Sequence, residues 1–186
     1  IMTRDEVKKL ALSAGAKGAE YVAGGSIVLS DEFRRICERN SCGKYGKCYV
    51  CPPYVGEIDK VMDDVRRFPG GILYQTVCDI EDSFDIEGME TAWKQHCMLS
   101  QRIQELMKSA YTGEMLHLTC GGCGNCERGA AYEGEPCRFP DKALPSMESY
   151  GIDVYRTSTS TTLKYINGQN TVTYFGIILL PEYEDV

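Results

Sequence analysis

Two groups of cysteines carry the densest chemistry in this chain. Cys37, Cys42, Cys48 and Cys51 form one group and Cys120, Cys123, Cys126 and Cys137 the other, while Cys78 and Cys97 stand apart. Ten cysteines in 186 residues is several times common usage, and disulfides, bound metal and redox catalysis compete to explain it. The stretch from Cys120 to Pro140 narrows the choice. It holds four cysteines, five glycines and two prolines, with almost nothing apolar to bury and no helical or strand periodicity. A hydrophobic core cannot organise such a segment, which points to a metal.

Its cysteines run C-x2-C-x2-C-x10-C-R-x-P. Three thiolates at the first two spacings resemble the bacterial ferredoxin run that ligates a [4Fe–4S] cluster. Two intervening residues let the chain wrap a cubane with its amide groups facing sulfide, and glycines such as Gly121, Gly122 and Gly124 permit close backbone approach. Cys137 closes the same cluster in the simplest reading, or yields its place to an external ligand. Zinc is the alternative, although its usual pattern is two separated C-x2-C pairs.

The first group has spacings of four, five and two residues and matches no common zinc motif. Its four thiols suit a second cluster, or three of them hold a cluster that keeps one iron open. An open iron binds a substrate atom as a Lewis acid, whereas a cluster with four thiolates normally only moves electrons. A structural zinc clip is the plainer alternative. Arg34, Arg35, Arg39, Lys44 and Lys47 surround this group. They read either as a solvated patch or as compensation for an anionic thiolate–metal centre and a dock for an acidic partner.

The elements that must position these loops are legible in outline. Thr3 and Glu6 have capping-box spacing ahead of Val7, Leu10, Ala11 and Ala14 on one helical face. Short extended pieces flank Gly24-Gly25, and short helices begin near Asp31 and span residues 57–68. Residues 71–80 read as a strand, 89–110 as the longest helix, and 114–120 as a second strand that delivers the chain to Cys120. Ser146 is a candidate cap of a short helix ended by Gly151, and residues 161–182 read as a hairpin turning at Asn167-Gly168. The expectation is a single α/β domain over 1–186, with a mixed sheet, flanking helices, a C-terminal hairpin and two cysteine-rich metal-binding loops.

Composition narrows the setting. A net charge of −7 argues against general nucleic-acid binding. The first residues read as a charged amphipathic helix with no signal-peptide pattern, and no apolar run is long enough to cross a membrane, so the expected location is cytoplasmic. Clustered thiols there favour metal over disulfides. No GxGxxG or Walker-type loop and no serine triad is present. Cys78 and Cys97 read as structural. His96 shares the inward stripe of Met89, Trp93, Ile103 and Met107 and reads as a satisfied core histidine, with a place near metal or substrate as the alternative. His117 is equally ambiguous between packing and contact with a metal centre, and Arg138 either caps loop carbonyls or bonds a cluster sulfide.

The combination of "YGK" at Tyr45–Lys47, "CPP" at Cys51–Pro53, the second cysteine set, "CRFP" at Cys137–Pro140 and "PSMESYGIDV" at Pro145–Val154 resembles the DUF2284 family of predicted metal-binding proteins. The likeness runs from about Cys37 to the "TYFGIILL" strand. It implies metal binding and an anaerobe-like setting and supplies no reaction. Cys42 and Cys51 match motif cysteines and Cys37 matches with variable spacing, while Cys48 stands where the family often has other residues. The leading expectation is an iron–sulfur protein with one or two [4Fe–4S] clusters in electron transfer or redox support of a partner protein. Its rivals are a redox enzyme using an open iron on a small, perhaps sulfur-containing, substrate, and a structural zinc protein.

Overall fold

Thr3 opens the first helix with the capping box its spacing implies. Its hydroxyl accepts from Glu6 N at 3.1 Å while the Glu6 carboxylate accepts from Thr3 N at 2.8 Å, satisfying two otherwise orphaned donors. Helix α1 (Arg4–Ala14) ends at Gly15. Strand β1 (Gly18–Ala23), α2 (Glu32–Glu38), α3 (Ile58–Arg66), β2 (Gly70–Asp79), α4 (Ile86–Ala110), β3 (Leu116–Leu118), α5 (Val154–Ser158) and β4 (Thr171–Leu179) follow. The computed structural model describes residues 1–184, so the last two positions of the expected 1–186 unit lie outside the described residues.

The strands form one sheet in the order β1-β2-β4-β3, antiparallel at every pairing. The fold is therefore mixed α/β as expected, but the sheet itself is not mixed. Helix α4 carries the chain from β2 to β3, which run in the same direction, and β4 inserts between them and pairs antiparallel with both. This is a split β-α-β unit. Nor does the C-terminal hairpin form, because the run before Asn167 is claimed elsewhere. Thr162 N bonds the Glu20 carboxylate at 3.0 Å, and Leu163 fills the space a Cβ at Gly18 would need, so this run ties to β1 at the far edge of the sheet.

Alternation along the strands builds a core on each face. Ile72, Tyr74 and Ile178 face α1 and α4, where they meet Val7, Ala11, Ile103 and Met107. Leu73, Phe175, Ile177 and Leu179 face the other way, onto Val65, Phe68, Met147 and Ile152. The buried stripe of α4 includes two polar positions, His96 and Ser100.

Both histidines are buried and paired. His96 Nε2–H donates to the Phe175 carbonyl at 3.2 Å and its Nδ1 lies 2.8 Å from the Thr76 hydroxyl. His117 sits 2.8 Å from Gln104 Oε1 and 2.7 Å from the Tyr74 hydroxyl. His96 is thus the satisfied core histidine its stripe implies. Burial lowers its pKa to about 4, partly offset by the Phe175 carbonyl, and burial lowers that of His117 to about 3. Because the unfolded chain takes up these protons first, stability is complete above about pH 6.5 and falls as pH drops from there toward 4. The His96 contribution is about 3 kcal/mol. Denaturant unfolding followed across this window is expected to show that loss, and His96→Gln is expected to remove roughly half of the slope.

Candidate metal centre

One segment ties the two cysteine loops together. Residues 145–154 leave the second loop and bond on one side to the residue that precedes Cys120: Thr119 N donates to Pro145 O, and Met147 N to Thr119 O, both at 2.8 Å. On the other side they bond to the chain leading into α2, through Ser30 N to Gly151 O at 2.7 Å and Asp153 N to Val28 O at 2.8 Å. Within the segment Ser146 caps the short turn of helix at Glu148–Tyr150, accepting from Ser149 N at 3.0 Å, and Gly151 ends it at a φ of +78°. The buried Arg34 guanidinium of α2 adds a bond to Ser149 O at 3.3 Å. The "PSMESYGIDV" motif is thus the brace that fixes α2, which carries Cys37, against β3, which delivers Cys120.

The loops meet directly. The Cys48 thiol adjoins those of Cys123 and Cys51, so sulfurs from both runs meet. The Lys44 ammonium donates to Cys123 O at 3.4 Å, and the Tyr49 hydroxyl to Glu135 O at 2.7 Å. Gly122 packs closely at this junction: a Cβ there would lie 3.3 Å from the Cys51 sulfur and 3.0 Å from the Lys44 stem. Trp93 of α4 forms the floor, its indole N–H donating to Cys120 O at 3.1 Å.

Two cavities open beside this junction. The first, about 570 Å³, is lined by Cys48, Cys123, Cys126 and Cys137. The second, about 440 Å³, is lined by Cys42, Cys120, Trp93 and Glu148, and Lys44 lines both. Cys48, Cys51 and Cys120 are buried, Cys42 is exposed, and all ten cysteines are free thiols. Among the described residues no three His, Cys, Asp or Glu side chains converge closely enough to hold a single metal ion; the thiols are instead spread around the cavities.

Crowding sets the electrostatics. Hydrogen bonds from Cys123 and then Cys51 pull the Cys48 pKa down to about 2, against the opposing effect of burial. Cys51 and Cys123 move up, chiefly because each shares its proton with Cys48 and secondly because each is desolvated. Burial and the neighbouring Cys42 push Cys37 up, with Arg34 opposing. Glu148 is also pushed up by burial, and its Oε2 is sealed from solvent with no partner, as is Arg34 Nε. Packed thiols, a cationic rim and glycine-lined walls are a donor set suited to a soft, cationic metal group.

Other expected residues fall into place. Arg138 caps the Arg128 carbonyl at 3.0 Å and pairs with Glu133. His117 reaches the site only through a string of buried groups: its partner Tyr74 lies 2.8 Å from the Ser100 hydroxyl, which lies 2.8 Å from that of Thr119. Cys78 is half-buried on β2, 3.8 Å from Gln95. Cys97, read as structural, lies beside Cys120, its thiol 4.0 Å from Cys120 O, and so adjoins the site. Lys44 stood in the cationic group read around the first cysteines, whereas Trp93 and Glu148 were not read as site residues and carried a signal only as members of the α4 stripe and of the "PSMESYGIDV" motif.

Gly121 makes the wall testable. It has a φ of +65°, and a Cβ there would fall 2.7 Å from Trp93 Nε1. Gly121→Ala is expected to destabilise the protein by about 1–3 kcal/mol, read by denaturant unfolding. The double variant with Trp93→Ala is expected to lose less than the sum of the two single changes, because the clash is then gone.

Neither the curated proteins nor the solved structures include one that matches this chain. A family profile does match, over residues 20–180, a span that contains both cysteine groups, the brace and all four strands except the first two residues of β1. By that match the chain belongs to the DUF2284 family of predicted metal-binding proteins.

Proposed function

We propose that this protein is an iron–sulfur metalloprotein whose cysteine loops hold [4Fe–4S] clusters and whose role is electron transfer or redox support of a partner protein. The meeting of two cysteine runs at glycine-walled cavities carries the reading, with Cys48 of one run bonded to Cys123 of the other. A cluster of this kind, when bound, supplies reversible one-electron transfer. The chain's own groups prepare the place. Lys44 and Arg34 offset thiolate charge, Trp93 covers one side of the second loop, and the thiols sit close enough to need a cation once deprotonated. Family membership supports metal binding in general; iron rather than zinc is inferred from the C-x2-C-x2-C spacing and from donors spread around cavities instead of a point. Ten free thiols suit a reducing, cytoplasmic setting, and no helix among the described residues is long and apolar enough to cross a membrane.

A second reading has one observation in its favour. The second cavity combines the exposed Cys42 with the Glu148 carboxyl, whose Oε2 has no hydrogen-bond partner, a place for a small substrate beside an open iron.

Iron, zinc and acid-labile sulfide measured on protein purified without oxygen test the proposal. Iron and sulfide in matching amounts are expected, and Cys123→Ala is expected to lose about four irons per chain. Zinc without sulfide contradicts the iron–sulfur reading, and full iron retention in Cys123→Ala contradicts the ligand assignment.

A further inference from the structure

We propose that the two cysteine runs exchange one ligand each, so that Cys48 joins Cys123, Cys126 and Cys137 around one cluster while Cys120 joins Cys37, Cys42 and Cys51 around the other. This rests on the iron–sulfur reading and deepens it. It departs from a run-by-run grouping at two residues, Cys48 and Cys120.

Geometry separates the two sets. The first cavity is lined by Cys48 and by the last three cysteines of the second run, and by no other cysteine. Cys120 does not line it; together with Cys42 it lines the second cavity. The Cys48 thiol adjoins Cys123 of the other run, whereas Cys120 adjoins Cys97 of α4, whose thiol lies 4.0 Å from Cys120 O. Cys51 lies against Gly122, which lines the second cavity, and two successive turns, Asn40 N to Cys37 O at 2.9 Å and Gly43 N to Asn40 O at 3.0 Å, carry the chain from Cys37 to Cys42.

The backbone explains why Cys120 leaves its run. It directly follows β3 and is pinned by the Thr119 bonds to Pro145 and Met147, while Gly121 turns the chain at positive φ and sends Cys123 and Cys126 to the other side of the wall. Cys51 N closes a turn on Cys48 O at 3.0 Å, so these two thiols adjoin, and the exchange assigns them to opposite sides of the wall. An exchange of ligands between cysteine runs has a chemical precedent in two-cluster ferredoxins, where the fourth cysteine of each run serves the other cluster. Here it would make each cluster a cross-link between segments about eighty residues apart, so that neither loop is complete without the other.

Double variants purified without oxygen decide the grouping, with far-UV circular dichroism as a folding control. Wild type is expected to hold about eight irons with matching sulfide. Cys48→Ala with Cys126→Ala removes two ligands of one cluster and is expected to keep about four irons; Cys48→Ala with Cys37→Ala strikes both clusters and is expected to keep almost none. The opposite pattern overturns the exchange and leaves the iron–sulfur reading intact, whereas wild type without iron and sulfide overturns both. Wild type with about four irons also overturns the exchange. Should the variants misfold, partial chelation of the wild type followed by alkylation gives the same decision. Cys48 is expected to become labelled together with Cys123, Cys126 and Cys137, and labelling of Cys120 in its place contradicts the proposal.

Discussion

The brace at residues 145–154 is the constraint on which the site depends. A loop of polar and glycine residues cannot hold a position by burial, so something with fixed hydrogen bonds must hold its ends. Thr119 is bonded from both Pro145 and Met147, and the chain before α2 is bonded to Gly151 and Asp153. These bonds link the rim of the sheet to the start of the first cysteine loop. Met147 and Ile152 anchor the brace itself in the core, each fully buried against the sheet. Rigid, apolar packing therefore sets the distance between two loops that have no core of their own.

Charge is the opposing term. Eight thiols in neighbouring loops repel one another as they ionise, and burial of Cys48, Cys51 and Cys120 raises the cost. The protein offsets part of this with Lys44, placed between the cavities, and with Arg34, buried beside Cys37. In the proposed function a bound cationic group neutralises the thiols once they ionise, which couples metal binding to ordering of the loops. The string from His117 through Tyr74 and Ser100 to Thr119 gives the ground beneath Cys120 fixed dipoles instead of a plain apolar floor.

Much of this was legible in the sequence where the signal is local. The Thr3–Glu6 box, the inward stripe of α4, and Ser146 and Gly151 at the ends of one helical turn all follow from short-range rules, and each is present in the structure. The sheet was harder to read because its pairing is non-local. Alternating helices and strands suggested parallel neighbours, yet β4 returns from the end of the chain to occupy the slot between β2 and β3. The Asn167-Gly168 turn likewise suggested a hairpin, but Thr162 and Leu163 gain more from β1 than from pairing with β4. At the site, the types of the eight cysteines pointed to metal, and family membership supports that much. Which sulfurs meet could not follow from spacing, because Cys48 and Cys123 are brought together by the brace and not by their own loops. The nearness of Cys97 to Cys120 was hidden for the same reason, since the two are distant in sequence.

The proposed ligand exchange requires two metal groups on either side of a single shared wall, at Lys44, Cys51 and Gly122. Electron paramagnetic resonance of the fully reduced, anaerobically purified protein tests it most directly. Two reduced clusters across so thin a wall are expected to give a spin-coupled spectrum that simplifies to one uncoupled signal when either cavity loses its ligands. A spectrum that is the plain sum of two independent signals, or no cluster signal at all, would contradict it.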